Sequence, residues 1–128
     1  KKGSIIPVLI RRAMEFPKQE YKILTQGQEK RAFCYIDDAI DATIKMVLAL
    51  EDAPFVGPLN IGRNEPTTIL SLANLIKNLV NPEISLQIDR KPIKPEILCQ
   101  YCDCSKALKE LGWQSKTTIE EGVIRIIK

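Results

Sequence analysis

The sequence predicts an α/β fold in a single domain. Three observations predict it: apolar residues recur at helical spacing in several segments, short β-branched and aromatic runs lie between them, and Pro or Gly separates the two. A length of 128 residues, 45% hydrophobic and 27% charged, suits one folded unit with a modest core.

Ser4 can cap a helix running to about Phe16, with Pro7 in its first turn and Ile6, Leu9, Ile10 and Met14 on one side. Pro17 ends it. Tyr21 to Thr25 reads as a short strand, a polar loop around Gly27 follows, and Ala32 to Ile36 reads as a second strand. Asp37 or Asp38 is expected to cap the next helix, in which Ile40, Ile44, Val47 and Leu48 mark a buried face, and Pro54 with Gly57 closes the segment. Pro58 to Gly62 fits a short buried strand, and Thr68 caps a helix whose stripe is Ile69, Leu72, Ala73, Ile76, Leu79 and Val80. A strand is expected at Ser85 to Ile88, then a proline-bearing loop from Asp89 to Cys102. A short helix capped by Asp103 and stopped by Gly112 follows, and Thr118-Ile119-Glu120-Glu121 opens the last helix with a capping-box pattern. The chain opens on a helix, without a methionine, and stops inside a helix, so it is expected to be a portion of a longer protein.

The formal charge of +3 is spread among acidic residues, which argues against a nucleic-acid partner. No apolar run approaches the roughly 20 residues of a membrane span, and a cytoplasmic location is expected. Histidine is absent, which removes the commonest general base and most zinc sites. Cys99, Cys102 and Cys104 crowd together and Cys34 stands in an expected strand, a poor disulfide framework. A thiolate metal site at Cys99 to Cys104 would have three ligands and no histidine, so the cysteines read as incidental. Asp37 and Asp38 read as cap and dipole partner rather than as an acid/base pair, and Trp113 as a packing anchor.

Arg31 is the strongest single candidate for ligand binding. Its guanidinium offers forked donors that match phosphate oxygens and stays charged in a partly dry cleft. Alone it would read as a surface residue, but it stands within an ordered set. Gly27, Arg31, Phe33, Tyr35, Asp37 and Asp38 are followed by Asn60-Ile61-Gly62, Leu111-Gly112-Trp113 and Thr118-Ile119-Glu120-Glu121-Gly122. That order resembles the C-terminal part of the extended short-chain dehydrogenase/reductase family, the NAD-dependent nucleotide-sugar epimerases, dehydratases and decarboxylases. The resemblance implies a partial Rossmann-type (NAD(P)-binding) fold with that family's small substrate-binding α/β subdomain. Residues 1–128 would then be the substrate-binding portion, with the dinucleotide-binding part absent.

Carried over by position, the resemblance gives Arg31 the sugar nucleotide's diphosphate. It places Ser4 and Ile5 beside the same diphosphate at a helix N-terminus, where free backbone N–H groups suit an anion. Ile23 and Leu24 fall on the strand that flanks the base. Lys94, in Lys94-Pro95-Glu96, precedes the last substrate contact. Gln100 stands where many relatives have a second arginine, and Ile97 where many have glycine, so Arg90, Lys91 or Lys94 would have to supply positive charge there. The family's Tyr-x-x-x-Lys is not found, since Tyr21, Tyr35 and Tyr101 are followed four residues on by Thr25, Ala39 and Ser105. The resemblance therefore implies no catalytic residue in this chain, NAD held by the missing part, a nucleotide-diphosphate sugar as ligand, and a homodimer. A non-catalytic sugar-nucleotide or protein-binding module on the same scaffold is the alternative.

Overall fold

The computed structural model describes residues 4–52 and 57–128. Helix α1 (Ile5–Met14) leads to β1 (Lys22–Ile23), β2 (Lys30–Arg31) and the long α2 (Ile36–Asp52). Then come β3 (Thr67–Thr68), α3 (Ile69–Val80), β4 (Gln87–Ile88), β5 (Cys99–Gln100), α4 (Ser105–Leu111) and α5 (Ile119–Ile127). Two small sheets result. β1 pairs in parallel with β4, and β2 lies between antiparallel β3 and parallel β5.

The main core is where the amphipathic helices meet β1. Leu9, Ile10 and Ala13 of α1 pack with Ile69, Leu72, Ala73 and Ile76 of α3, and Tyr21, Ile23, Ile84 and Val123 complete the cluster. The apolar spacing in α1 and α3 accounts for this, because residues three and four apart share a helix face. Met14, expected on the buried side of α1, is exposed at its last position. Thr68 caps α3 by accepting the Ser71 N–H at 3.0 Å. Thr118 and Glu121 form the expected capping box, with the Glu121 carboxylate accepting the Thr118 N–H at 2.8 Å. Gly112 ends α4 with φ +62°, a left-handed stop that glycine takes without strain.

A second cluster joins Ala42 of α2 to Cys104, Ala107 and Trp113. Trp113 is buried, as expected of an anchor, and its Nε1–H donates to the Asp38 carbonyl at 3.1 Å. Asp38 is not the cap of α2 but lies inside its first turn. Its Oδ2 accepts the N–H groups of Lys116 (3.1 Å) and Thr117 (2.9 Å), pinning the α4–α5 connection to α2.

Several expectations are corrected. The second strand is Lys30–Arg31, not Ala32 to Ile36: its ladder runs from Lys30 N–H on Leu98 O (2.8 Å) to Ala32 N–H on Gln100 O (3.0 Å) and then ends. The same ladder makes Cys99–Gln100 a strand inside the expected loop, and β3 was not anticipated either. Residues 58–62 form no strand and join no sheet among the described residues, with a bend at Gly62. The expected buried face of α2 is exposed: Ile40, Ile44, Val47 and Leu48 are each about half open, from 49% to 57%. Asp103 precedes α4 by two positions, and its carboxylate accepts the Ser105 N–H at 2.9 Å while Cys104 takes the cap position. Pro54 lies outside the described residues.

Candidate functional site

Two open clefts meet at Arg31. The first, about 550 Å³, is lined by apolar Ile5, Val8, Ile23, Leu24, Ile69 and Ile93 and by the cations Arg11, Arg12, Lys22 and Arg31. The second, about 620 Å³, shares Ile5 and Arg31 with the first and adds Asn60, Gly62, Gln100, Tyr101 and Asp103 among others. Arg31 is placed there by β2, whose flanking strands fix it from both sides. In register it faces Thr67 of β3 and Gln100 of β5.

The charges around the clefts differ in how far they are committed. Arg12 Nη1–H donates to the Lys22 carbonyl at 2.7 Å, and Lys22 sits between the carboxylates of Glu20 (3.1 Å) and Asp89 (3.6 Å), which hold its pKa above the ordinary value. Arg63 is held by the Thr117 carbonyl (2.7 Å) and by Glu65. Arg31 is different. Its Nη1–H meets the adjacent Lys30 carbonyl at 2.8 Å, and among the described residues it pairs with no carboxylate. A half-buried guanidinium without a counter-ion favours an anionic ligand. The first residue of α1, Ile5, lines both clefts beside it, so the start of that helix lies at the same junction.

Of the residues singled out from the sequence, Ile5, Ile23, Leu24 and Arg31 come together in the first cleft, and Gln100 joins Arg31 in the second. Ser4 and Lys94 line neither; Ser4 is exposed and makes no side-chain cap bond, and Lys94 is exposed beyond Ile93. Glu29 and Arg11 were missed. Glu29 carries no local signal, because it stands in the polar loop just before the two-residue β2.

Titratable groups elsewhere offer little chemistry. Burial raises the Tyr21 pKa, and its hydroxyl donates to the Ala73 carbonyl at 2.7 Å, so it stays protonated in the core. Cys34 and Cys104 are raised by burial first, Cys104 to about 11, which keeps them as thiols. Among the described residues no group of three or more Cys, Asp or Glu is arranged to hold a metal ion, and no helix is long and apolar enough to cross a membrane.

The NAD dependent epimerase/dehydratase family model matches residues 1–62. UDP-glucuronic acid decarboxylase 3 of Arabidopsis thaliana is 34% identical over 98 residues, covering 76% of this chain and 27% of that protein. The crystal structure of UDP-glucose 4-epimerase from Thermotoga maritima, with UDP-glucose, superposes with a TM-score of 0.80 at 25% identity, covering 99% of this chain and 39% of that one. This chain belongs to the NAD-dependent epimerase/dehydratase family. A probable GDP-L-fucose synthase 1 of Oryza sativa subsp. japonica is also similar, 28% identical and covering 98% of this chain and 38% of its own length. The chain thus spans between about a quarter and two fifths of these family members.

The family uses NAD. The described residues do not fit a dinucleotide: among them Gly27, Gly57, Gly62, Gly112 and Gly122 are too far apart for a glycine-rich phosphate turn, and none lies between a strand and the start of a helix. No step of hydride chemistry is assigned to any residue here.

Proposed function

We propose that this chain is the substrate-binding portion of a longer NAD-dependent nucleotide-sugar epimerase, dehydratase or decarboxylase, and that it holds a nucleotide-diphosphate sugar across Arg31. The observation that carries the reading is the position of Arg31, unpaired with any described carboxylate, at the junction of two clefts. The diphosphate lies on its guanidinium, where forked N–H donors meet two oxygens at once. The nucleoside enters the first cleft against Ile23 and Leu24, and the sugar enters the second, beside Asn60, Gln100 and Asp103. The names of similar proteins, which include UDP- and GDP-sugar enzymes, support this ligand class.

Binding at this junction orients the sugar and does no chemistry of its own. Anchoring the remote diphosphate fixes where the sugar carbons lie, the usual route by which binding energy becomes positioning. The exposed stripe of α2 and residues 58–62, which join no sheet among the described residues, support the longer polypeptide. Both are surfaces of the kind a neighbouring sheet covers.

The test is a nuclear magnetic resonance titration of the intact protein with UDP and with GDP. Amide shifts concentrated at Ile5, Ile23, Leu24, Arg31 and Gln100 support the reading. Saturable shifts that avoid both clefts, or none with either nucleotide, overturn it.

A further inference from the structure

Glu29 stands out inside the first cleft. It lines the cavity yet is only 6% exposed, and its Oε2, itself buried, has no hydrogen-bond partner among the described residues. Its other oxygen is held: Oε1 accepts the Thr25 hydroxyl at 2.6 Å, and that hydroxyl oxygen accepts the Gly27 N–H at 3.0 Å. The relay fixes the carboxylate's direction through a glycine whose φ is +74°. A buried polar oxygen left without a partner is unfavourable, so it is the place in a cavity where a ligand's donor is most strongly favoured. The strand carbonyls nearby are already used, Ile23 O by the Asp89 N–H (2.9 Å) and Leu24 O by the Ile93 N–H (2.7 Å).

We propose that Glu29 reads the base of the bound nucleotide and selects guanine over uracil, an inference that rests on the nucleotide-sugar reading of the cleft. A carboxylate only accepts hydrogen bonds. Guanine presents two adjacent donor groups, the ring N1–H and the exocyclic N2 amino group, which match the free Oε2 and the lone pair of Oε1 that Thr25 leaves unused. Uracil presents a single N3–H between two carbonyl oxygens, and those oxygens would face the carboxylate and repel it. Pairing with buried polar groups discriminates more sharply than apolar fit does. Glu29 and Arg31 line the same cleft two residues apart, so base reader and diphosphate clamp act on one ligand from nearby positions.

The experiment is calorimetric titration of GDP and of UDP into the intact protein, wild type and Glu29→Gln. The wild type is expected to bind GDP at least about tenfold more tightly than UDP. Glu29→Gln has one donor and one acceptor and suits uracil, so it is expected to bring the ratio close to one. UDP binding as tightly as GDP in the wild type overturns the inference while leaving the cleft's assignment standing, and this comparison needs no variant. An unchanged ratio in a Glu29→Gln protein with an unaltered unfolding midpoint also overturns it. Binding of neither nucleotide overturns the nucleotide-sugar reading and this inference with it.

Discussion

Replacing Asp38 by alanine tests how the α4–α5 connection is held. Asp38 is 9% exposed, and its Oδ2 takes two backbone N–H groups, from Lys116 at 3.1 Å and Thr117 at 2.9 Å. The two amides fare differently after truncation. Lys116 is exposed, so water replaces the lost acceptor, whereas Thr117 is buried and its N–H is left without one. A charged hydrogen bond contributes about 1.5–3 kcal/mol, and an orphaned buried donor costs about 1–3, with overlap between the two terms. The expected loss for Asp38→Ala is therefore about 2–4 kcal/mol. Asp38→Asn keeps an acceptor without the charge, and about half that loss is expected. The bond from Trp113 Nε1 to the Asp38 backbone carbonyl survives both changes, so Trp113 stays seated. Urea unfolding of the intact protein measures this as a shift in midpoint at constant slope. A loss under about 0.5 kcal/mol, the scale of an ordinary surface substitution, would refute the idea that one buried carboxylate fastens this connection.

Trp113→Ala removes the largest buried side chain of the second cluster, and a stability loss of about 3–5 kcal/mol is expected in the same assay. Gly27→Ala places a Cβ 2.7 Å from Ile23 Cδ1 and 2.9 Å from Leu70 Cβ, at φ +74°. It should destabilise by at least the roughly 1–2 kcal/mol of a left-handed residue and weaken nucleotide binding, since Gly27 anchors Thr25 and Glu29; wild-type affinity in calorimetry would contradict that link. Glu121 has a pKa below its ordinary 4.5, chiefly because the Thr118 N–H favours its charged form. A depressed folded-state pKa makes the cap's contribution full above 4.5 and lost as pH falls through the lower folded value. A resonance titration of the Glu121 side chain should show a midpoint below 4.5, and a midpoint at or above it would contradict the capping geometry.

Helix existence was legible in the sequence because it depends on local pattern. The stripe of α3, the Thr68 cap and the Thr118–Glu121 box needed only neighbours three and four residues away. The two-residue strands were not legible. β2 is defined by Leu98, Gln100, Thr67 and Thr68, and nothing between Gly27 and Phe33 says where those partners fall. Helix α2 shows a different limit. Its apolar period is plain in the sequence, but a period states that a face needs cover, not that this stretch of chain supplies it, and Ile40, Ile44, Val47 and Leu48 stand half exposed. At the site, Arg31 was readable from its family setting and Gln100 from its departure from that setting. Glu29 was passed over because an acidic residue in a polar loop reads as solvated until the loop is seen to fold its carboxylate inward.

The central claim is that Arg31 clamps the diphosphate of a nucleotide sugar. Calorimetric titration of UDP and GDP into the intact protein, wild type against Arg31→Ala, tests it most directly. The account predicts that the variant keeps its fold, because among the described residues the Arg31 side chain bonds only to its neighbour's carbonyl, and loses about 1.5–3 kcal/mol of binding free energy. Unchanged affinity in a folded Arg31→Ala protein would contradict it.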